Sequence, residues 1–207
     1  GMDIGMGPAI GAANRNHRMM ILEYDNQGYM NTGAQLSYST PFGHRTSTSE
    51  VGSSLPGKRY HHKDTAQIFA ACHVPYVFTA SEGFPEDLMR KVAKAQWYAK
   101  HEGLVYGKIL SYCPLNWRTA DDAGQPVLQA AIDSCFFPLY EIEHGHTTLT
   151  YDPDATDRRH PVSDWLKLMG KTRHLVTPAN TGIVAGIQAE TDRRWARLKA
   201  MHEHPLL

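Results

Sequence analysis

Side-chain oxygens and glycines crowd into one short stretch of this chain. Asn26, Asn31 and Thr32 carry the oxygens, and Gly28 and Gly33 sit among them. Glycine lets a backbone approach a ligand closely. Amide, hydroxyl and main-chain carbonyl oxygens are hard donors of the kind Mg2+ prefers, usually shared with phosphate oxygens. The stretch follows an apolar run, Met19-Met20-Ile21-Leu22, that ends at Asp25. Read as a parallel strand, that run puts the oxygens at its C-terminal end, where open α/β sheets bind ligands. Two readings stand side by side: a Mg2+ site shared with a diphosphate, or an ordinary Asn/Gly turn after a strand.

Other reactive residue types are weaker leads. The chain has 12 histidines. His61-His62 and His144-Gly145-His146 lack a carboxylate or cysteine at metal-site spacing, so they are expected in solvated loop and hairpin positions. Lys58 and Arg59 could attract a phosphate-bearing ligand, but an ordinary charged loop is expected. Asp192-Arg193-Arg194 reads as the solvated face of a helix. The cysteines, Cys72, Cys113 and Cys135, are odd in number and widely spaced. They form no disulfide framework and suit a reducing cytoplasm.

The elements that must carry these residues follow from periodicity. Residues 4–17 read as a helix start rich in small residues, and residues 19–25 as a buried strand. Residues 26–63 form a long polar loop, a length that is unusual in a compact domain and often functional. Helix is expected at 65–73, strand at 75–79, helix at 85–101 and strand at 104–110. In the third of these, Leu88, Val92, Ala95 and Ala99 share one face, and Pro85 suits the first turn. This alternation argues for a parallel α/β sheet. Further on, a helix is expected at 125–134, a hairpin at 139–151 and a short helix at 162–169. A last helix after Pro178 is marked by Ile187, Thr191, Trp195 and Leu198. The division expected is a domain over residues 1–135 and a hairpin-plus-helix extension over 136–207, packing on that domain or on a partner subunit.

Composition excludes some classes. Hydrophobic residues make up 42% of the chain, enough for a sizeable core. Acidic and basic side chains balance at 21 each, which argues against nucleic acid as a partner and against a polybasic membrane anchor. No apolar run approaches the roughly 18 residues that a membrane span needs. The first residues do not read as a secretory signal.

The ordered blocks are more specific than any one of these features. The string YDNQGYMNTG from Tyr24 is followed by STPFG from Ser39, VGSSLPGK from Val51 and HKD from His62. VPYVFTAS from Val74, SYCPLNW from Ser111, FFPLYEIEHG from Phe136 and IQAETDRRWARL from Ile187 continue the series. In this order they resemble the beta subunit of pyruvate:ferredoxin oxidoreductase, in the 2-oxoacid:ferredoxin oxidoreductase family, across nearly the whole chain. The resemblance implies a thiamine-diphosphate-binding α/β fold. Asn26 would bind Mg2+ through its side chain and Gly28 through its main-chain carbonyl. Tyr29 and Thr32 would belong to the cofactor-binding stretch. Asn31 would lie near the reactive end of the cofactor and count as its catalytic neighbour. Asp3, Ile4 and Gly5 would lie near the diphosphate, at a helix start where unpaired N–H groups favour an anion. Cys113 matches one of four ligands of a [4Fe–4S] cluster. Cys72 and Cys135 match no ligand position and are expected in the core.

The activity implied is oxidative decarboxylation of pyruvate to acetyl-CoA, with electrons leaving through iron–sulfur clusters. The partners implied are an alpha-type subunit, ferredoxin or a cluster-bearing subunit, coenzyme A and the 2-oxoacid. A branched-chain or aromatic 2-oxoacid is the alternative substrate. A non-catalytic interaction subunit or inert fragment with an incomplete cofactor site is the alternative role. In the family, a Gly-Asp-Gly that supplies a third Mg2+ ligand lies just before Asp3-Ile4-Gly5, and three cluster cysteines lie further upstream. The expectation is a piece of a longer polypeptide, or a front supplied by a separate chain, with no activity of this chain alone. The strand at 19–25 would then have an uncovered edge.

Overall fold

The computed structural model describes residues 2–204. In chain order the elements are α1 (Met6–Asn14), β1 (Met20–Asp25), β2 (Val51–Gly52), β3 (Leu55–Pro56), α2 (Thr65–Ala70), β4 (Tyr76–Ser81) and α3 (Pro85–His101). Then follow β5 (Val105–Leu110), α4 (Pro114–Trp117), α5 (Gly124–Asp133), β6 (Tyr140–Glu143), β7 (His146–Leu149), α6 (Val162–Lys167) and α7 (Thr181–Glu203).

Five strands form the main sheet in the order β1-β5-β4-β6-β7. β1, β5 and β4 are parallel. All six residues of β4 and of β5 are buried, as expected for parallel strands covered on both faces. The sheet is nevertheless mixed. β6 runs antiparallel to β4, and β7 antiparallel to β6. The hairpin thus lies within the same sheet as the parallel strands, joined through β4, and its tight turn at His144-Gly145 makes β6 and β7 antiparallel neighbours. Among the described residues, β1 pairs with β5 alone and forms one edge.

The helices sit where their apolar faces are covered. α3 opens on Pro85, Glu86 and Asp87 and closes on Lys100 and His101, charges that complement the helix dipole. Its Leu88, Val92, Ala95 and Ala99 pack with Tyr76, Phe78 and Ile109. One departure from that apolar face is Lys91, which is fully buried and bonds Asp87, the Thr79 carbonyl and Thr150. Asp64 caps α2 by accepting from the Gln67 N–H at 3.2 Å. In α7, Ile187 joins the core beside α5 and α6, and Leu198 joins the core beneath β6.

The long loop is not structureless. Beyond the small β2–β3 hairpin, it buries Ser37, Ser39, Thr40, His44, Thr46 and Lys58. Lys58 is not the ordinary loop lysine expected. Its Nζ donates to the carbonyls of Ser37, Tyr38 and Thr40 at 3.2, 3.0 and 2.5 Å. A buried ammonium must find acceptors, and here the backbone supplies them, so the loop folds around one side chain. Burial holds that ammonium down to about 8.

Candidate functional site

The segment after β1 turns sharply and is pinned from below. Gln27 adopts φ 67°, a left-handed conformation uncommon for a residue with a side chain. Three bonds hold it there. Its N–H donates to Asp25 Oδ1 at 2.9 Å, its carbonyl accepts from Thr40 Oγ1 at 2.8 Å, and its Oε1 accepts from Lys171 Nζ at 2.6 Å. The Asn26 carbonyl is also engaged, by Asn116 Nδ2 at 2.7 Å and Trp117 Nε1 at 3.0 Å. Among the described residues, no donor reaches the Gly28 carbonyl. The side chains of Asn26 and Asn31 are likewise unbonded. A Cβ at Gly28 would lie 2.5 Å from Met30 Cε and 3.1 Å from the Gln35 carbonyl, so glycine lets the turn close without displacing either.

These residues line a cleft of about 290 Å3 that takes in Asn26, Gly28, Tyr29, Asn31 and Thr32. The structure therefore gathers five of the residues singled out in the sequence. Tyr29 and Gln35 exchange main-chain hydrogen bonds at 3.0 and 3.1 Å, and Thr32 Oγ1 donates to Gln35 Oε1 at 2.5 Å. Asp3 is tied to the cleft from the N-terminal side. Its Oδ2 accepts from Tyr29 OH at 2.8 Å and from the Tyr38 N–H at 2.9 Å. Burial and this carboxylate push the Tyr29 hydroxyl up to about 12, so it stays a donor at neutral pH. Ile4 is 89% exposed and Gly5 caps α1; neither lines the cleft.

Below the cleft lies a buried charge cluster that sequence reading passed over. Lys108 Nζ stands 3.1 Å from Asp25 Oδ2 and 3.8 Å from Glu23 Oε1. Burial opposes the Lys108 charge, but the two carboxylates outweigh it and hold the ammonium above its ordinary value. Burial raises Glu23 despite that lysine. Glu23 also accepts from Tyr106 OH and Thr65 Oγ1. The signal was present: charges at 23, 25 and 108 interrupt otherwise apolar strand runs. Lys171 gave no such signal. It is fully enclosed, and burial pushes its ammonium down to about 7.

Cys113 precedes α4 in an extended conformation and is partly buried. It lies one turn before Asn116 and Trp117, the two residues that bond the Asn26 carbonyl. Cys135 is buried and its thiol is pushed up to about 12 by burial; Cys72 is partly buried against the core beneath β6. Among the described residues, no group of three or more His, Cys, Asp or Glu side chains is placed to hold a metal ion. His144 and His146 are exposed, but His62 is not a solvated loop histidine. Its Nε2 accepts from Arg194 at 2.6 Å and its ring lies 5.3 Å from Phe136. Arg194 is correspondingly drawn inward. No helix among the described residues is long and apolar enough to cross a membrane.

Fold and cleft define an α/β domain with free oxygen donors at the end of a parallel strand, suited to a hard cation. The family model described as "Thiamine pyrophosphate enzyme, C-terminal TPP binding domain" matches residues 1–106. The chain belongs to this family. It is 41% identical to pyruvate synthase subunit PorB of Methanocaldococcus jannaschii, over 84% of this chain and 56% of that one. It is 38% identical to PorB of Thermotoga maritima, over 97% of this chain and 60% of that one. Ketoisovalerate oxidoreductase subunit VorB of Pyrococcus horikoshii is 33% identical, over 97% and 62%. The chain thus spans less than two thirds of the length of these relatives.

Proposed function

We propose that this chain is the cofactor-holding part of a beta-type subunit of a 2-oxoacid oxidoreductase that acts on pyruvate. The single observation that carries the reading is the selective freeing of oxygens after β1. The carbonyls of Asn26 and Gln27 are bonded inward, while the Asn26 side chain and the Gly28 carbonyl are left free beside the cleft. Those are the two donors a Mg2+ ion on a diphosphate would take, and hard oxygen ligands match it. Similarity to pyruvate synthase subunits at 38–41% identity supports pyruvate as substrate.

In this reading Asn26 and Gly28 hold the cation, and the fixed turn spares the site any rearrangement when it binds. Tyr29, held by Asp3, and Thr32, held by Gln35, shape the wall. Asn31 stands at the mouth, near the reactive end. Thiamine diphosphate, when bound, supplies the electron sink for loss of CO2. Iron–sulfur clusters would carry the electrons to ferredoxin, and coenzyme A would be the acyl acceptor. Cys113 would contribute one thiolate to a [4Fe–4S] cluster whose other ligands would come from outside the described residues. An alpha-type subunit completes the site, and the complex works in the cytoplasm.

A branched-chain substrate is the second reading, favoured by the similarity to the ketoisovalerate enzyme. The test uses the native complex that contains this chain, with an alpha-type subunit present. Mg2+-dependent binding of thiamine diphosphate is measured by calorimetry, then ferredoxin reduction with pyruvate and with 2-oxoisovalerate. Binding that is lost in Asn26→Ala, with pyruvate the faster substrate, is the expected result. Preference for 2-oxoisovalerate would select the branched-chain reading. Absence of Mg2+-dependent binding in the assembled complex would leave a non-catalytic subunit.

A further inference from the structure

Lys171 is a fully buried lysine that forms no ion pair among the described residues. Among the described residues, the hydrogen bond of its Nζ goes to one acceptor, Gln27 Oε1 at 2.6 Å. The Trp117 ring also lies near, its centroid 5.2 Å from Nζ. Burying an ammonium costs free energy that a single hydrogen bond offsets only in part. The partner here is 144 residues away in sequence and lies between Asn26 and Gly28.

The chain takes trouble to bring Lys171 there. Gly170 packs on the backbone of Arg118, its N–H donating to the Arg118 carbonyl at 3.2 Å. A Cβ at 170 would lie 2.7 Å from Arg118 Cβ, so only glycine allows this approach. Arg118 follows α4, which supplies Asn116 and Trp117 to the Asn26 carbonyl. The Gly170 contact therefore docks Lys171 beside the group that pins Asn26. Gln27 is then fastened at its N–H, carbonyl and side chain. With all three points held, Gln27 keeps its left-handed turn, and the oxygens on either side of it stay free.

We infer that Lys171 is a positioning residue that holds the Asn26–Gly28 turn in its cation-binding form by bonding Gln27 from the C-terminal half of the chain. The inference rests on the assignment of Mg2+ to Asn26 and Gly28. An amine N–H donates to Gln27 Oε1 whether or not the nitrogen is charged, so the role does not depend on protonation.

The experiment titrates Mg2+ calorimetrically into the assembled complex with thiamine diphosphate present. It compares wild type with Lys171→Met, Lys171→Arg, Gln27→Met and the Lys171→Met/Gln27→Met pair, with thermal midpoints recorded alongside. Loss of the one bond should weaken Mg2+ affinity about tenfold in Lys171→Met. Lys171→Arg, which still donates, should recover most of it. The double variant should be no weaker than the worse single variant, because both changes remove the same contact. If Lys171→Met does not fold, Gln27→Met carries the test and must show the same loss. Unchanged Mg2+ affinity in the variant that folds overturns the inference and leaves the cation site standing. So does a loss that arginine fails to recover and that adds in the pair, which would mark a packing role. A wild-type complex that binds no Mg2+ overturns the cation site and the inference with it.

Discussion

Two cavities meet at Asp25 and Ser39, and their walls differ in what they leave unbonded. On the β1 side, the cleft presents the Asn26 and Asn31 side chains, which have no hydrogen-bond partner among the described residues. Beneath α7, a smaller cavity of about 150 Å3 is walled by Phe136, Phe137, Tyr140 and Leu198. Several of its charges are already bonded. Arg194 bonds Glu190 at 2.7 Å and the His62 carbonyl at 2.9 Å, while Lys108 faces Asp25 and Glu23. Enclosure favours the α7 cavity, but free oxygen donors favour the cleft. For a hard cation the donor set decides, because Mg2+ gives up its hydration only for oxygens that can replace it.

The comparison can be broken at the wall the cavities share. Lys108→Met leaves two buried carboxylates without their cation, which should destabilise the fold by about 3–5 kcal/mol in a denaturant titration. A smaller loss would mean that Asp25 and Glu23 find other partners. Lys58 offers a pH test of the loop that forms part of the cleft. Its folded value, about 8, lies below the ordinary 10.5, so between those values the folded chain holds fewer protons than the unfolded one. Lys58 should therefore contribute a rise in stability with pH across that window, by at most about 1.4 kcal/mol per pH unit. Lys58→Met should flatten the rise; a wild-type thermal midpoint that falls from pH 8 to pH 10 contradicts it.

The next effect is on binding. Asn26→Ala should weaken Mg2+ at least about tenfold in the presence of thiamine diphosphate. The smallest effect sharpens the contrast. Arg194→Ala, on the α7 side, should leave Mg2+ affinity within about twofold, since sites that share no partner act independently. An equal loss in both variants would mean that the cavities work as one site.

Much of the architecture could be read residue by residue. α3 followed from the spacing of Leu88, Val92, Ala95 and Ala99 behind Pro85, and β4 and β5 from short, mostly apolar runs on either side of it. The family was legible in ordered blocks that local periodicity would never have revealed. The mixed character of the sheet was less so. A hairpin at 139–151 was evident, but which strand it would join was not, because pairing between β6 and β4 depends on contacts far apart in the chain. Lys58 and His62 looked like loop residues because burial is a property of the packed chain.

What the sequence determined by itself was the chemistry on offer: oxygen-bearing side chains and glycines placed directly after an apolar strand, and a cysteine before a proline. Local spacing suffices for that, since a turn and the strand before it are neighbours in the chain. Only the tertiary structure decided which of those oxygens are free. The Asn26 carbonyl is taken by Asn116 and Trp117, and Gln27 by Thr40 and Lys171. Each of these donors is remote from its acceptor in the chain, and a hydrogen bond needs its partners within about 3 Å of each other, a distance that folding alone sets.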